Sequence, residues 1–266
     1  MKNIVFMMDI DVGGKGRYSS ERRLPYKYSI NSWKSWCDKN NAELFVMNDL
    51  VADNDEMGIC WQRYYLFDIF DDNNIKYDKI LLVDADTIVH PNCPNFFDEV
   101  GDNYTGVNVS GCYEWVNRSI NSYHTHLFSD MDKVKPWEYI NTGFQIVNKN
   151  HKDFFKKITD FYWKNVNELI HAQETFKVGT DQTVINFLLK KYNVKIDRLP
   201  LCYNLQDMFK KNLLHFPNYS WWEDNLKNLY NSGWIYHFNA IPDHDSKRNS
   251  LYWMERIYKE LYENTK

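Results

Sequence analysis

An α/β fold with a mostly parallel sheet is the architecture this sequence predicts, and three observations predict it. Short apolar runs rich in β-branched residues alternate with segments of helical apolar spacing, which is the pattern of strand–helix–strand units. The run Lys79-Ile-Leu-Leu-Val-Asp84-Ala-Asp86-Thr-Ile-Val89 reads as a strand buried on both faces that stops at two carboxylates. No Pro- or Gly-rich linker interrupts the 266 residues, so they are read as one domain, residues 1–266.

Taken in order, residues 4–10 form an apolar first strand that ends at Asp9 and Asp11. Residues 12–24 are rich in Gly, Ser and Arg and read as a mobile loop; Gly-Gly-Lys-Gly lacks the spacing of a phosphate-binding loop. Tyr26, Ile30, Trp33 and Trp36 give residues 26–39 a helical period. Residues 43–47 form a strand, 61–70 a helix, 79–83 the strand before the acidic pair, and 104–110 a further strand. Residues 143–147 are a strand, 151–169 one long helix and 180–192 another helix. Short strands follow at 194–196 and 234–238, and an amphipathic helix at 252–262. The half to residue 110 fits a nucleotide-binding half-fold, and residues 111–266 carry irregular aromatic segments suited to a second substrate.

Composition narrows the function. The chain is 44% hydrophobic and 26% charged, so it is globular. A net charge of −4 without a basic block excludes nucleic-acid binding as the main role. No apolar stretch approaches the roughly 18 residues of a membrane span. Met1 to Asp9 is too short and too soon acidic for a signal peptide. Five cysteines without a Cys-x-x-Cys argue against a disulfide framework or zinc site, and the expected setting is a reducing, cytoplasmic one.

Asp-x-Asp alone is weak, because it occurs five times in this chain. Asp84 and Asp86 stand apart by context, with a buried strand before them and an apolar triplet after. The carboxyl ends of strands are where open α/β sheets bind ligands. Two carboxylates there repel each other unless a cation joins them, and a hard divalent ion is the natural occupant. Four more segments matter. Arg63 shares a helical face with Leu66, Phe67 and Phe70 and needs an anion, either a structural carboxylate or a phosphate. Asn141-Thr-Gly143 precedes an apolar run and, alone, reads as a turn. Thr180-Asp181-Gln182 opens a helix, where either of the first two could merely cap it. His237 lies in an apolar β-run, where a structural histidine is the commoner case.

Together and in this order, these motifs resemble the metal-dependent GT-A fold glycosyltransferases, especially the retaining family 8 enzymes (glycogenin and bacterial galactosyltransferases). Family 34 galactosyl/xylosyltransferases are similar. The resemblance implies that Asp9, at the end of the first strand, meets the uracil base. Arg63 would serve the donor, and Asn141 would line its site. Asp84 would contact the ribose or the metal through water, while Asp86 and His237 ligate the metal directly. Asp181 and Gln182 would surround the donor sugar. The family's His-x-x-Gly-x-x-Lys-Pro-Trp is not kept after His237, so Lys247 or Arg248 would have to substitute for the diphosphate-binding lysine.

The resemblance therefore implies a glycosyltransferase using Mn²⁺ or Mg²⁺ and a UDP-sugar, acting on a hydroxyl of a carbohydrate or glycoconjugate acceptor with retention of anomeric configuration. The rival enzyme reading is an inverting transferase with Asp181 as general base. The rival from another class is a carbohydrate-binding protein with a structural Ca²⁺, although Ca²⁺ sites seldom use His. A sugar nucleotidyltransferase is a fourth possibility, but the Gly-rich segment 13–17 only faintly fits one. Trp115, Trp137, Trp221 and Trp222 lie in segments without clear periodicity, and at least one is expected to face an acceptor cleft. The polar segments 117–135 and 209–224 are expected to move over a bound donor.

Overall fold

The structure, a computed structural model, describes residues 1–13, 23–206, 232–239, 241 and 249–264. The chain is α/β with a mostly parallel central sheet, as expected. In chain order the described strands are β1 (Lys2–Met8), β2 (Ala42–Met47), β3 (Tyr77–Val83), β4 (Thr87–Val89), β5 (Tyr104–Asn108), β6 (Ile140–Asn148), β7 (Ile196–Arg198) and β8 (Ile235–His237). The described α-helices are α1 (Tyr26–Lys39), α2 (Ile59–Gln62), α3 (Leu66–Asp72), α4 (Tyr113–Leu127), α5 (Lys152–Lys164), α6 (Val166–Phe176), α7 (Gln182–Lys191) and α8 (Ser250–Tyr258). The chain divides into two compact units.

One unit holds residues 50–82 and 100–198. Within it β6 pairs antiparallel with β5, and β5 pairs in parallel with β7. Strand β6 is buried along its whole length, so Asn141-Thr-Gly143 lies inside a strand rather than in a turn. Gly106 lets β5 come close to β6: a Cβ there would lie 3.0 Å from the Ile140 side chain, which would have to give way. The expected helix 61–70 is divided into α2, a 3₁₀ turn at Arg63–Tyr65 and α3. The expected helix 151–169 is also divided. Asn165 leaves helical geometry at φ −126° and ends α5, and its side chain bonds back to the Phe161 carbonyl. Aromatic packing fills the core: Phe67 and Tyr64 meet Phe155, and Phe128 stacks on Phe161 and Phe187.

The other unit holds residues 2–49, 83–99 and 199–266. Here β1 pairs in parallel with β2, and β4 pairs antiparallel with β8. Helix α1 buries Trp33 and Trp36, and Trp36 stacks on Phe96 at 4.5 Å. Helix α8 continues into a π-helical turn at Lys259–Glu263 and packs Trp253, Met254, Ile257 and Leu261 against Ile88, Tyr236 and Phe238. That apolar backing anchors β8, which carries His237, and β4, which follows the turn that carries Asp84 and Asp86. No helix among the described residues is long and apolar enough to cross a membrane.

Candidate metal and donor-binding residues

Strand β3 runs directly into Asp84, and β4 starts one residue after Asp86. The intervening turn is closed from inside. The Thr87 hydroxyl donates to the Asp84 carbonyl at 2.8 Å and accepts the Trp33 indole N–H at 2.9 Å. Antiparallel pairing sets Thr87 opposite His237. The Phe238 N–H donates to the Asp86 carbonyl at 2.8 Å, which ties the two strand ends together beside the carboxylates. Ligand atoms of Asp84, Asp86 and His237 consequently lie within 4.8 Å of one another.

His237 Nε2 is 3.1 Å from Asp86 Oδ1 and 3.5 Å from Asp84 Oδ2. Both are ion-pair distances, yet neither contact has the direction of a hydrogen bond, and the buried Nε2 is left without a hydrogen-bond partner. The two carboxylates are 27% exposed and His237 only 1%, so an incoming ion would meet the acids on the open side. Burial acts to lower the His237 pKa, but Asp86 and then Asp84 outweigh it and hold it at about 9. An imidazole nitrogen without a hydrogen-bond partner beside two carboxylates is a donor set that fits Mn²⁺, Mg²⁺ or a similar divalent ion.

Asp9 follows β1 and is clamped. The Arg23 guanidinium donates to Asp9 Oδ1 at 2.6 Å and reaches Asp11 Oδ2 at 2.8 Å. The hydrogen bond to Asp9 is the main cause that holds the Arg23 pKa above its ordinary value. Arg23 fell within the segment read as a mobile loop, and only a basic residue within reach of Asp9 and Asp11 could have signalled this clamp.

In the unit of residues 50–82 and 100–198, a second polar group assembles around β6. Arg63 Nη1 donates to the Thr142 carbonyl at 3.1 Å, and Gln145 Nε2 donates to the same oxygen at 2.6 Å. Gln182 Oε1 accepts from Asn141 Nδ2 at 2.9 Å and from the Thr142 N–H at 3.2 Å. Asn141 Oδ1 accepts the Gly143 N–H at 2.8 Å. Asp181 occupies the N-cap position of α7, but its side chain makes no cap hydrogen bond. Its carboxylate accepts from the Tyr64 hydroxyl at 2.9 Å and the Thr180 hydroxyl at 3.1 Å. Burial, reinforced by Asp181, pushes the Tyr64 pKa well above its ordinary value, so this hydroxyl stays protonated and donates. The structure therefore brings Arg63, Asn141, Asp181 and Gln182 onto neighbouring positions, and adds Tyr64, which sequence reasoning missed.

Two tryptophans of the expected acceptor set are described. Trp115 is on α4, a helix in place of the expected irregular segment, and its ring lies against Gly179, where a Cβ would come within 2.7 Å of it. Trp137 is 67% exposed, on a 3₁₀ turn at Pro136–Glu138. Trp221, Trp222, Lys247 and the segment 209–224 lie outside the described residues.

No family model and no curated protein sequence matches this chain. Solved structures do. A glycosyltransferase involved in the glycosylation of the major capsid of PBCV-1 aligns with a TM-score of 0.58 at 12% identity, over 96% of this chain and 100% of its own. The bifunctional glycosyltransferase WbbM, in its apo structure, gives 0.52 at 14% identity over 99% of this chain, which spans 50% of that protein. The fold is thus the GT-A fold that the motifs resemble.

Proposed function

We propose that this chain is a metal-dependent glycosyltransferase that moves a sugar from a UDP-sugar to a hydroxyl acceptor with retention of anomeric configuration. The observation that carries the reading is the Asp84–Asp86–His237 group, whose ligand atoms lie within 4.8 Å of one another, with the buried Nε2 3.1 and 3.5 Å from the two carboxylates. Asp86 and His237 would hold Mn²⁺ or Mg²⁺, and Asp84 would contact the ribose or reach the ion through water. The bound ion would supply Lewis-acid stabilisation of the leaving diphosphate. Asp9 reads the base, and Arg63 and Lys247 add positive charge for the phosphates. Asn141 and Gln182 hold each other in register beside the donor sugar. Asp181, kept as a hydrogen-bond acceptor by Tyr64 and Thr180, stabilises oxocarbenium-like charge on that sugar. An imidazole in the donor set weighs against the Ca²⁺-binding alternative.

The reading treats residues 1–266 as one functional domain, with 1–110 serving the nucleotide sugar and 111–266 the acceptor and the last metal ligand. A cytoplasmic setting belongs to the same reading and agrees with five free cysteines. The test is Asp86→Asn, assayed with a panel of nucleotide sugars and Mn²⁺, with product configuration read by NMR. Turnover is expected to fall by about a hundredfold or more, because electrostatic stabilisation of the departing diphosphate dominates the rate. Unchanged turnover overturns the metal assignment, and an inverted product overturns retention.

A further inference from the structure

A metal-bound imidazole works only if the coordinating nitrogen presents a lone pair, so the other nitrogen must carry the proton and needs an acceptor. His237 Nδ1 lies 3.0 Å from Asn204 Oδ1. A carbonyl oxygen can only accept, so Nδ1 is the protonated nitrogen and donates. Nε2 is thereby left to face Asp84 and Asp86. Asn204 is completely buried, so water does not compete for that oxygen.

The backbone holds this pair in register. The Leu205 N–H donates to the Ile235 carbonyl at 2.8 Å, and the His237 N–H donates to the Leu205 carbonyl at 2.9 Å. These two bonds form a parallel bridge of Leu205 with Tyr236, so Asn204 and His237, each one residue away from it, turn their side chains to the same face, where they meet at 3.0 Å. The Asn204 N–H is itself tied to the Leu201 carbonyl at 2.9 Å. Next to it, the Tyr203 hydroxyl donates to the Glu99 carboxylate at 3.0 and 3.1 Å. Asn204 therefore belongs to a segment whose backbone is hydrogen-bonded on both sides of its side chain.

We infer that Asn204 is a positioning residue for the metal site: its side-chain oxygen selects the Nδ1–H tautomer of His237 and fixes the ring so that Nε2 coordinates a divalent ion. This rests on the metal-binding reading above. Its consequence is specific. Removing the acceptor should weaken the affinity for Mn²⁺ itself, with no nucleotide present, because the tautomer that cannot coordinate becomes populated and the ring gains freedom. Restoring an acceptor of the same reach should restore the affinity.

The experiment is Mn²⁺ titration of the full chain by calorimetry and by electron paramagnetic resonance. The set is wild type, Asn204→Leu, Asn204→Ser, Asn204→Asp and, as the site control, Asp86→Asn. Melting curves identify the folded variants. Asn204→Leu keeps the volume but removes the acceptor, and its Kd for Mn²⁺ should rise by about 10- to 100-fold, the usual effect of losing a partner of a ligating histidine. Asn204→Ser, whose hydroxyl is too short to reach Nδ1, should shift Kd the same way and stands in if the Leu variant does not fold. Asn204→Asp should bind Mn²⁺ at least as tightly as wild type. If Asp86→Asn abolishes binding while the Leu or Ser variant keeps the wild-type Kd, the role of Asn204 is refuted and the metal site stands. An Asp variant as weak as the Leu variant also refutes it. If Asp86→Asn binds Mn²⁺ like wild type, the metal reading fails, and the inference fails with it.

Discussion

Raising the pH should destabilise the metal-free protein through one residue, His237. Its folded pKa is about 9, against an ordinary 6.5. The folded state therefore holds the imidazole proton more tightly than the unfolded chain. Such a group contributes stability that is fully present below pH 6.5 and is lost as pH rises through 9. A shift of 2.5 units corresponds to about 3 kcal/mol, since each unit is about 1.4 kcal/mol. For a chain of this size, 1 kcal/mol moves Tm by roughly 2–4 °C, so between pH 6 and 9.5 the loss should be about 6–12 °C. Other groups titrate above pH 9, so the quantity to measure is the difference between wild type and His237→Gln, each treated with chelator. The wild type should lose its advantage over the variant across that window. Mn²⁺ must compete with the same proton at Nε2, so its affinity for wild type should rise by up to tenfold per pH unit from 6 to 8.5. Parallel pH profiles for wild type and His237→Gln would refute the contact of His237 with the two carboxylates.

Further outcomes check the donor and acceptor residues. With Mn²⁺ present, UDP should raise Tm clearly more than ADP or GDP does, through base recognition at Asp9; equal shifts for all three nucleotides would sink that role. Arg63→Ala should weaken UDP-sugar affinity by tenfold or more with little loss of Tm. A loss of about 3 kcal/mol or more in stability with unchanged donor affinity would instead make Arg63 a structural cation. Trp137→Ala should raise the apparent KM for a sugar acceptor and leave donor hydrolysis in water unchanged, because an exposed ring that stacks on the acceptor binds it uniformly. An unaltered acceptor KM would remove Trp137 from the acceptor site.

The strand before the acidic pair was legible because a fully buried strand is a continuous apolar run, and β3 ends where that run ends. Helix α4 was not read, although Val116, Ile120 and Tyr123 repeat at helical spacing and are buried. Polar residues between them dilute the pattern, and Cys112, at its start, has a left-handed backbone and no side-chain cap. The break between α5 and α6 rests on one asparagine, and apolar period carries across it. Asn141-Thr-Gly143 looked like a turn by composition. In the structure its amide is used inside a strand, where Gln182 and the Gly143 N–H satisfy it. Local propensity could not foresee partners 41 residues away.

The candidate site shows the same division more sharply. The sequence contains Asp84, Asp86 and His237, but not what makes them a set. The decisive link is the register of β4 on β8, which places Thr87 opposite His237 and leaves Asp86 at the joint. Repulsion between the two acids led to the expectation that a cation must join them. The structure adds that the protonated imidazole of His237 can itself balance that charge, at 3.1 and 3.5 Å. Proton and metal ion are then alternative occupants of one position, and the side chain that relieves the metal-free protein is the one that would bind the ion. What separates a ligand from a structural histidine here is therefore its second nitrogen. Nδ1 is satisfied by Asn204, a residue with no motif of its own, 33 positions earlier in the chain. Nε2 is buried and faces the carboxylates of Asp86 and Asp84, so it is the nitrogen at which proton and metal ion compete.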